Sequence, residues 1–337
     1  MSFFDEIDKE IAGTAVEVTT GAGSDVVHMV EPHPGGEVSS GSANDKANPW
    51  KVDHLSYSQL SSFLWCQRKY YYSRLRMIRE PKSEALLYGS SLHKGIEFIN
   101  RWIINNRPKG LPGNLNTDEI FSKSSVLVHE AEENKEEEAR KILLDEGRKN
   151  IFMSNGKNHL IDYTRWVSGV GYDPRSLEEK WNLIEQDMGI RFTLIIDMVA
   201  TNKGKPLIVD FKTSSKNYPE SKGVKNSIQL ALYGIAADIN EVETVVFVKT
   251  KVPKIQTSTD ADFLKHKFTK DELDFYRGFI KIVSQKIIHL IRMGDEKGIG
   301  AQFIPIDPTE WKCSDCFYST LCRNELKNLK LNIKKEE

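Results

Sequence analysis

The sequence lacks three features that would assign it to a specialised class of protein. No run approaches the roughly 18 consecutive apolar residues of a membrane-spanning helix. The first residues, Met-Ser-Phe-Phe-Asp-Glu, contain neither the basic nor the apolar region of a signal peptide. The pattern G-x4-G-K-[ST] does not occur, so the chain carries no signature of a fused ATP-driven motor. We therefore expect a cytoplasmic protein without a membrane partner.

The net charge is close to zero but unevenly distributed. The 337 residues carry a formal charge of −1. Residues 1–50 contain nine acidic residues and two lysines, which gives −7, and the rest contains 45 basic and 39 acidic side chains, which gives +6. A mildly basic body permits a nucleic-acid partner without requiring one.

Composition divides the chain into a body and two tails. Residues 1–49 are rich in small and acidic residues with irregular apolar spacing, which predicts an acidic disordered tail. The body is predicted at 50–325, and a basic tail at 326–337. Near the start, four apolar residues at helical spacing form a candidate docking segment for a protein partner: Phe3, Phe4, Ile7 and Ile11.

Apolar periodicity predicts helices and strands in alternation through the body. Helices are predicted after Ser56 or Ser58, from about Glu84 to Ile104, from Asn226 to Ala237 and from Asp271 to Met293. Strands are predicted at 177–186, 191–197, 206–212 and 244–249. The charged segment 117–152 is predicted to form one or two exposed helices in a helical insertion at about 105–165. This order predicts an α/β fold with a mixed central sheet flanked by helices.

Two of the predicted strands, 191–197 and 206–212, form a candidate hairpin around the turn dipeptide Lys203-Gly204. If the hairpin is symmetric about that dipeptide, the numbers of paired residues sum to 407. Asp197 then faces Asp210. Opposed side chains lie about 4.5–5.5 Å apart, and like charges there are unfavourable, so the two carboxylates require a cation.

The side-chain alternation of a strand adds an amine to this pair, because it places Lys212 on the same face as Asp210. Carboxylates suit Mg²⁺ or Mn²⁺, and the backbone carbonyl of Phe211 is a further candidate ligand. Two acids and one amine at one place are typical of metal-assisted phosphodiester hydrolysis. The competing interpretation is that the two aspartates merely lie at the solvent-exposed ends of apolar strands and have no catalytic role.

Three further residues are candidates on weaker evidence. His93 could complete the metal shell, although a lone helical histidine is more often structural. Gln229 and Tyr233 lie four residues apart on one helix face, which is more often a packing arrangement. If that helix follows the Asp/Lys strand, both side chains could contact a phosphate.

The four cysteines form an unusual pattern, with Cys313, Cys316 and Cys322 spaced as C-x2-C-x5-C and Cys66 lying 247 residues before the first of them. Four thiolates suit either Zn²⁺ or a 4Fe–4S cluster. Zinc sites usually use two close pairs, so this pattern favours the cluster, with a structural Zn²⁺ or unligated buried thiols as alternatives. A bound group here would join the two ends of the body.

The order of these motifs resembles that of the PD-(D/E)xK nuclease superfamily, in its RecB-like branch with an iron–sulfur cluster. That branch includes the AddB nuclease domain and the CRISPR-associated adaptation exonuclease. The resemblance covers about Ser56 to Arg323, although Gln67 and Leu194 replace a proline and a glycine that are frequent in the family. The matching motifs are Ser58-Gln-Leu60 with Cys66 and Tyr70, Gly89-Ser-Ser-Leu-His93, Ile196-Asp197, Val209-Asp210-Phe-Lys212-Thr213, Gln229-Leu-Ala-Leu-Tyr233 and the three C-terminal cysteines.

The resemblance implies a restriction-endonuclease-like core with a C-terminal cysteine clasp, and a metal-dependent DNA exonuclease acting on DNA ends or single strands. It implies these roles: His93, Asp197 and Asp210 as metal ligands, Lys212 as catalytic residue, Gln229 and Tyr233 as substrate contacts, and the four cysteines as cluster ligands. Recombination, repair or phage DNA processing would be the setting. The alternatives are a non-catalytic DNA-end-binding accessory protein, which the intact acids and lysine argue against, and a CRISPR adaptation nuclease that trims DNA before integration.

Overall fold

The computed structural model describes residues 54–107, 111, 115–133, 145–187, 189–293, 302–306 and 311–327. The predicted acidic tail and nearly all of the predicted basic tail lie outside these residues, so both stay predictions. Within the described part of the chain, no helix combines the length and the apolar character that crossing a bilayer requires.

Helices and strands alternate along the described chain. The strands are β1 (His54–Leu55), β2 (Tyr172–Glu185), β3 (Ile190–Asn202), β4 (Lys205–Ser214), β5 (Glu241–Val248), β6 (Lys254–Gln256) and β7 (Lys265–Lys267). The helices are α1 (Tyr57–Trp65), α2 (Gln67–Tyr70), α3 (Glu84–Asn105), α4 (Thr117–Glu133), α5 (Glu146–Val170), α6 (Ile228–Ala237), α7 (Lys270–Met293), α8 (Trp311–Ser314) and α9 (Ser319–Lys327). A π-helical turn, Tyr71–Leu75, continues α2. The predicted elements are confirmed, although β2 begins five residues earlier than predicted.

The strands of the described residues form one mixed sheet in which β3 pairs antiparallel with both β2 and β4. The short β1 runs parallel to the start of β3. On the other side β5 runs parallel to β4, and the connection between these two strands contains α6. Both β6 and β7 pair antiparallel with β5. The predicted mixed α/β core is therefore confirmed.

The hairpin of β3 and β4 has the predicted register. Its pairs run from Met198–Val209 to Asn202–Lys205, and their numbers sum to 407 throughout. Lys203 and Gly204 have φ angles of 50° and 78°. A two-residue connection with two positive φ angles is a type I′ turn, whose twist matches that of the strands and fixes their register.

Helices cover both faces of β4. On one face the Phe211 ring packs edge-on against Tyr163 of α5 at 5.5 Å. On the other face α6 places Tyr233 near Asp210 and Lys212, whose charges act on it. Alternation along β4 therefore separates an apolar layer from a charged one.

The prediction that segment 117–152 forms exposed helices is wrong for one face of each helix. α4 buries Ile120 and Phe121, and α5 buries Phe152 and Leu160. Charged residues dominate the segment's composition, but the apolar residues recur at helical spacing and pack against α3. The helices α3, α4 and α5 thus form a layer of their own.

Gly156 permits the close crossing of α4 and α5, because a Cβ added there would clash with the ring of Phe121. We expect Gly156→Ala to destabilise the fold by about 1–3 kcal/mol through overpacking. Gly169→Ala is the matched control in the same helix, since a Cβ there meets no atom within 4 Å. Thermal unfolding followed by circular dichroism should show a lower midpoint for Gly156→Ala than for Gly169→Ala. Equal midpoints would contradict this account.

Candidate active site

The two candidate carboxylates lie where β3 and β4 separate. The last regular pair of the hairpin is Met198–Val209, and Asp197 and Asp210 follow it in the register. The Asp197 Oδ2 atom accepts a hydrogen bond from the backbone N–H of Phe211 at 2.8 Å. This carboxylate therefore binds a β4 amide just past the end of the regular ladder. The predicted role of the Phe211 carbonyl as a ligand stays a prediction.

Asp210 is buried against Lys212, with 2.8 Å between Oδ1 and Nζ. Its other oxygen, Oδ2, is buried and has no hydrogen-bond partner in the protein. Burial raises the pKa of Asp210 to about 6, with Lys212 opposing this shift and Asp197 adding to it. A buried carboxylate oxygen without a partner is costly, so this atom is a candidate ligand for a cation.

Lys212 is positioned as a fixed positive charge. Burial alone would lower the pKa of its amine, but the attraction of Asp210 and Asp197 outweighs burial and raises that pKa above its usual value. The Lys212 amine therefore stays protonated at neutral pH. A protonated lysine donates hydrogen bonds and stabilises negative charge, and it does not accept a proton as a base.

Glu178 is a third acid at the site that the sequence analysis missed. The pairs Leu177–Met198 and Glu179–Ile196 flank it, so the register of β2 and β3 places it opposite Asp197. Its φ angle is 48°, a left-handed conformation that is rare for a glutamate. Backbone strain of this kind concentrates at functional sites. Three carboxylates thus form a row across three adjacent strands.

The environment of Glu178 keeps a large fraction of its carboxyl group protonated near neutral pH. Burial raises the pKa of Glu178 to about 7, and repulsion from Asp197 and Glu97 adds to the shift. Glu97 itself is held by Lys94 at 2.8 Å and by Arg101 at 2.7 Å. The charges of Lys94 and Arg101 also favour the ionised form of Glu178, but burial and the two nearby acids outweigh them.

His93 approaches this row from α3. Its Nδ1 atom lies 3.7 Å from Asp197 Oδ2, and its ring packs edge-on against Phe211 with 6.2 Å between centroids. Ligand atoms of His93, Glu178 and Asp197 all lie within 4.8 Å of one another, and this is the one such group among the described residues. One imidazole nitrogen and carboxylate oxygens suit Mn²⁺ or Mg²⁺.

A glycine allows α3 to bring His93 this close to the sheet. A Cβ added at Gly89 would lie 3.2 Å from Thr213 Oγ1, which is tighter than an ordinary contact. Ser83 begins the helix, because its hydroxyl accepts a hydrogen bond from the Leu86 amide at 3.4 Å. The predicted Gly89–His93 motif therefore combines a close approach to β4 with a candidate ligand one turn later.

Gln229 and Tyr233 lie on α6, which follows β4. Gln229 Nε2 donates a hydrogen bond to the Tyr233 hydroxyl at 2.7 Å. Burial raises the pKa of Tyr233, so its hydroxyl keeps its proton at neutral pH. The pair is next to Asp210 and Lys212, as the sequence predicted for a helix after that strand, and its contact with substrate stays a prediction.

A cleft of about 730 Å³ opens between α3 and the sheet. Candidate ligands His93 and Glu178 line it together with Lys212. The remaining lining residues are Ala85, Leu86, Gly89, Ser90, Lys94, Glu97, Val128, Ile195, Phe211 and Thr213. The cleft thus exposes candidate metal ligands and a fixed amine to whatever enters it, and this combination suits metal-assisted cleavage of a phosphodiester.

The four cysteines line a separate cavity of about 60 Å³. Cys66 follows α1, Cys313 lies in α8, Cys316 precedes α9 and Cys322 lies within α9. No three of these sulfur atoms lie within 4.8 Å of one another, although all four residues are described. A structural Zn²⁺ and a 4Fe–4S cluster both bind four thiolates, so the position of these residues around one cavity fits either group.

Comparison with known proteins identifies a family for most of the chain. The model of the PD-(D/E)XK nuclease superfamily matches residues 54–323, which confirms the predicted restriction-endonuclease-like α/β class. A "Putative exonuclease" from Eubacterium rectale is 13% identical, with 89% of this chain and 97% of that chain covered and a TM-score of 0.39. The structure of SSO0001 is 16% identical, with 54% and 80% covered and a TM-score of 0.29. No curated protein matches the chain.

The row of carboxylates predicts a pH-dependent stability for the metal-free protein. Glu178 has a pKa of about 7 when folded, against about 4.3 when unfolded. Between these values the folded state binds more protons, so stability falls as pH rises. Glu178→Gln should therefore raise the metal-free melting temperature at pH 8, by about 2–4 °C, and should reduce the further rise on adding Mn²⁺.

Glu179→Gln is the control for this experiment, because the neighbouring residue pairs with Ile196 and projects to the opposite face of β2. Differential scanning fluorimetry at pH 5 and pH 8, with and without Mn²⁺, provides the measurement. Identical melting behaviour of the two variants would show that Glu178 does not contribute to the metal site.

Proposed function

The chain belongs to the PD-(D/E)XK nuclease superfamily, and we propose that it is a metal-dependent DNA exonuclease of the RecB-like branch. The observation that supports this most directly is Asp210. One of its oxygens is paired with Lys212 at 2.8 Å, and the other is buried without a protein partner. A carboxylate that contacts a fixed amine through one oxygen and has no protein partner for the other is suited to binding a cation beside that amine.

The chemistry divides between a metal and the side chains around it. His93, Glu178, Asp197 and Asp210 would hold Mg²⁺ or Mn²⁺, with the Phe211 carbonyl as a further candidate. When bound, such an ion lowers the pKa of a coordinated water and neutralises charge on the scissile phosphate. The protein's own task is to bring the donors together. The register of β2 and β3 and the approach of α3 put ligand atoms of His93, Glu178 and Asp197 within 4.8 Å of one another, and Asp210 follows the hairpin register on β4.

The other site residues act on the phosphate. Lys212, which stays protonated, stabilises the negative charge that develops on the phosphoryl oxygens. Tyr233 accepts a hydrogen bond from Gln229, so its own O–H can be donated to a phosphate oxygen. These three residues orient the substrate and stabilise charge, and none of them needs to remove a proton.

We propose DNA ends or single strands as the substrate, in recombination, repair or phage DNA processing in the cytoplasm. The mildly basic body would hold the phosphate backbone without reading sequence. The nuclease domain would span residues 50–325. The presence of Asp197, Asp210 and Lys212 in one group favours a catalyst over a non-catalytic DNA-end-binding protein, and genomic neighbours would distinguish a role in CRISPR adaptation.

We further propose that the four cysteines hold a 4Fe–4S cluster that joins α1 to the C-terminal helices. The support is that residues so far apart in sequence line one cavity, together with a one-plus-three spacing that fits a cluster better than the two close pairs of a zinc site. A structural Zn²⁺ is the alternative. In either case the bound group acts on the stability of the fold and is distinct from the ions of the cleft.

Digestion of end-labelled DNA tests the proposed activity. Lys212→Ala should reduce the cleavage rate on the order of 10²–10³-fold, as loss of one transition-state donor does. Lys216→Ala is the control, because Lys216 is an exposed lysine beyond the end of the same strand. Wild-type protein should shorten DNA only with Mn²⁺ or Mg²⁺, and the label should reveal the polarity.

Two results would contradict the proposal. Wild-type cleavage by the Lys212→Ala variant would exclude the proposed role of the amine. Binding of DNA by wild-type protein without any cleavage, under every metal condition tried, would support the accessory-protein alternative.

Metal analysis after anaerobic purification tests the cluster. Wild-type protein should contain iron and sulfide, and Cys322→Ser should lose both and melt at a lower temperature, because the ends of the fold are no longer joined. Asp210→Asn is the control, since its site is separate: it should keep the cluster and lose cleavage. Zinc without sulfide in the wild-type protein would establish the alternative.

A further inference from the structure

Helix α7 carries apolar residues on a second face, outside the core. Its first face packs into the core through four buried residues: Ile280, Val283, Ile287 and Ile291. The helical period places Phe275, Phe279 and Ile282 together on another face. Phe275 and Ile282 are 67% and 66% exposed, and the ring of Phe279 stacks on that of Phe275 with 6.5 Å between centroids. Single exposed apolar side chains are ordinary, but a contiguous group of them marks a surface that binds a partner.

A glycine, Gly278, lies in the middle of this face. Together with Phe275, Phe279 and Ile282 it forms a surface that we call the α7 stripe. A glycine inside a helix costs about 0.5–1 kcal/mol relative to alanine. A Cβ added at Gly278 meets no atom within 4 Å, so packing within the described part of the chain does not require the glycine. Its position suits the approach of another backbone from outside, since the missing side chain allows close contact.

Exposed charges around the α7 stripe are divided by sign. The acidic residues Asp271 and Asp274 lie toward its N-terminal end, and three basic or titratable residues lie toward its C-terminal end: Lys286, His289 and Arg292. Asp274 pairs with Arg277 at 2.5 Å, but an exposed pair of this kind contributes little and can exchange partners. A partner with charge of one sign would match only one end of the stripe. A helix with the same division, running in the opposite direction, matches both ends.

A second copy of this chain provides such a helix. If two α7 helices pack antiparallel about position 280, the numbers of facing residues sum to 560. Gly278 then faces Ile282 of the second copy, and Asp274 faces its Lys286. In the same register Asp271 faces His289. Every contact forms twice, because a two-fold interface uses the same surface of both protomers. The sequence of the stripe is therefore complementary to itself.

We propose that the α7 stripe is the interface of a homodimer. Two stripes pack antiparallel, with the isoleucine of each copy over the glycine of the other and the acidic end of each beside the basic end of the other. Helix α7 contributes no residue to the described lining of the cleft. The inference therefore does not depend on the proposed nuclease activity, and either one can fail without the other.

Sedimentation velocity of the full chain tests the dimer, at protein concentrations from about 1 to 100 μM, which cover weak interfaces. Wild-type protein should shift from monomer to dimer as its concentration rises. Ile282→Asp should raise the dissociation constant more than about 100-fold, because each dimer loses two buried isoleucines. Ile151→Asp is the matched control: Ile151 is an isoleucine on α5 that is 64% exposed, and this variant should dimerise as wild type does.

Gly278→Leu separates the dimer from the fold. The added side chain has room in the single chain, so the thermal unfolding midpoint should not fall, whereas dimerisation should weaken because the two helices can no longer approach. This variant carries the test if Ile282→Asp fails to fold.

Exchange of charges tests the antiparallel register. Asp274→Lys and Lys286→Asp should each weaken the dimer, and the double variant should restore it, because the two residues face each other only across the interface. A double variant as weak as the single ones would overturn the antiparallel arrangement from which the dimer is inferred. Wild-type protein that stays monomeric at every concentration would overturn the proposal, as would a dimer that neither Ile282→Asp nor Gly278→Leu weakens.

Discussion

The arrangement of the cleft depends on one unfavourable interaction, the repulsion between carboxylates on neighbouring strands. Glu178, Asp197 and Asp210 follow one another across β2, β3 and β4, where like charges destabilise a sheet. The fold tolerates them through Lys212, through the Phe211 amide and through a raised pKa at two of the acids. Asp210 also keeps a buried oxygen without a hydrogen-bond partner in the protein. This second cost is one that the proposed cation would offset.

The scaffold that supports this row is rigid and apolar. The type I′ turn at Lys203-Gly204 fixes the register of the hairpin, and the parallel pairing of β4 with β5 buries the strand that carries Asp210. Gly89 allows α3 to lie against Thr213. A shift of one residue in the register would move each acid to the opposite face. Positioning of the site is therefore inseparable from the packing of the sheet.

How much the sequence could predict depends on how local the determining interaction is. The hairpin register up to Met198–Val209, which places Asp197 and Asp210 next along their strands, follows from a two-residue turn that sets a register by itself. Glu178 was not predicted, because β2 and β3 are connected at 186–189 without a comparable dipeptide, and a left-handed glutamate has no sequence signature. The burial of α4 was missed for another reason. Charged residues are frequent throughout segment 117–152, and the burial of Ile120 and Phe121 in the structure shows which face of α4 is apolar.

The cleft and the cysteine cavity pose the same physical problem, which is to gather negative groups in a place with little water. Each contains a basic side chain that is paired with a carboxylate: Lys212 with Asp210, and Arg68 with Glu325. In both places the carboxylate orients the cation, and the cation faces further acidic groups or thiols. The two basic side chains differ in donor geometry. The lysine amine is a compact donor that can adjust to the position of a phosphate, whereas the planar guanidinium of arginine can contact two acceptor groups at once. A cation paired with a carboxylate is thus present both in the cleft and beside the cysteines.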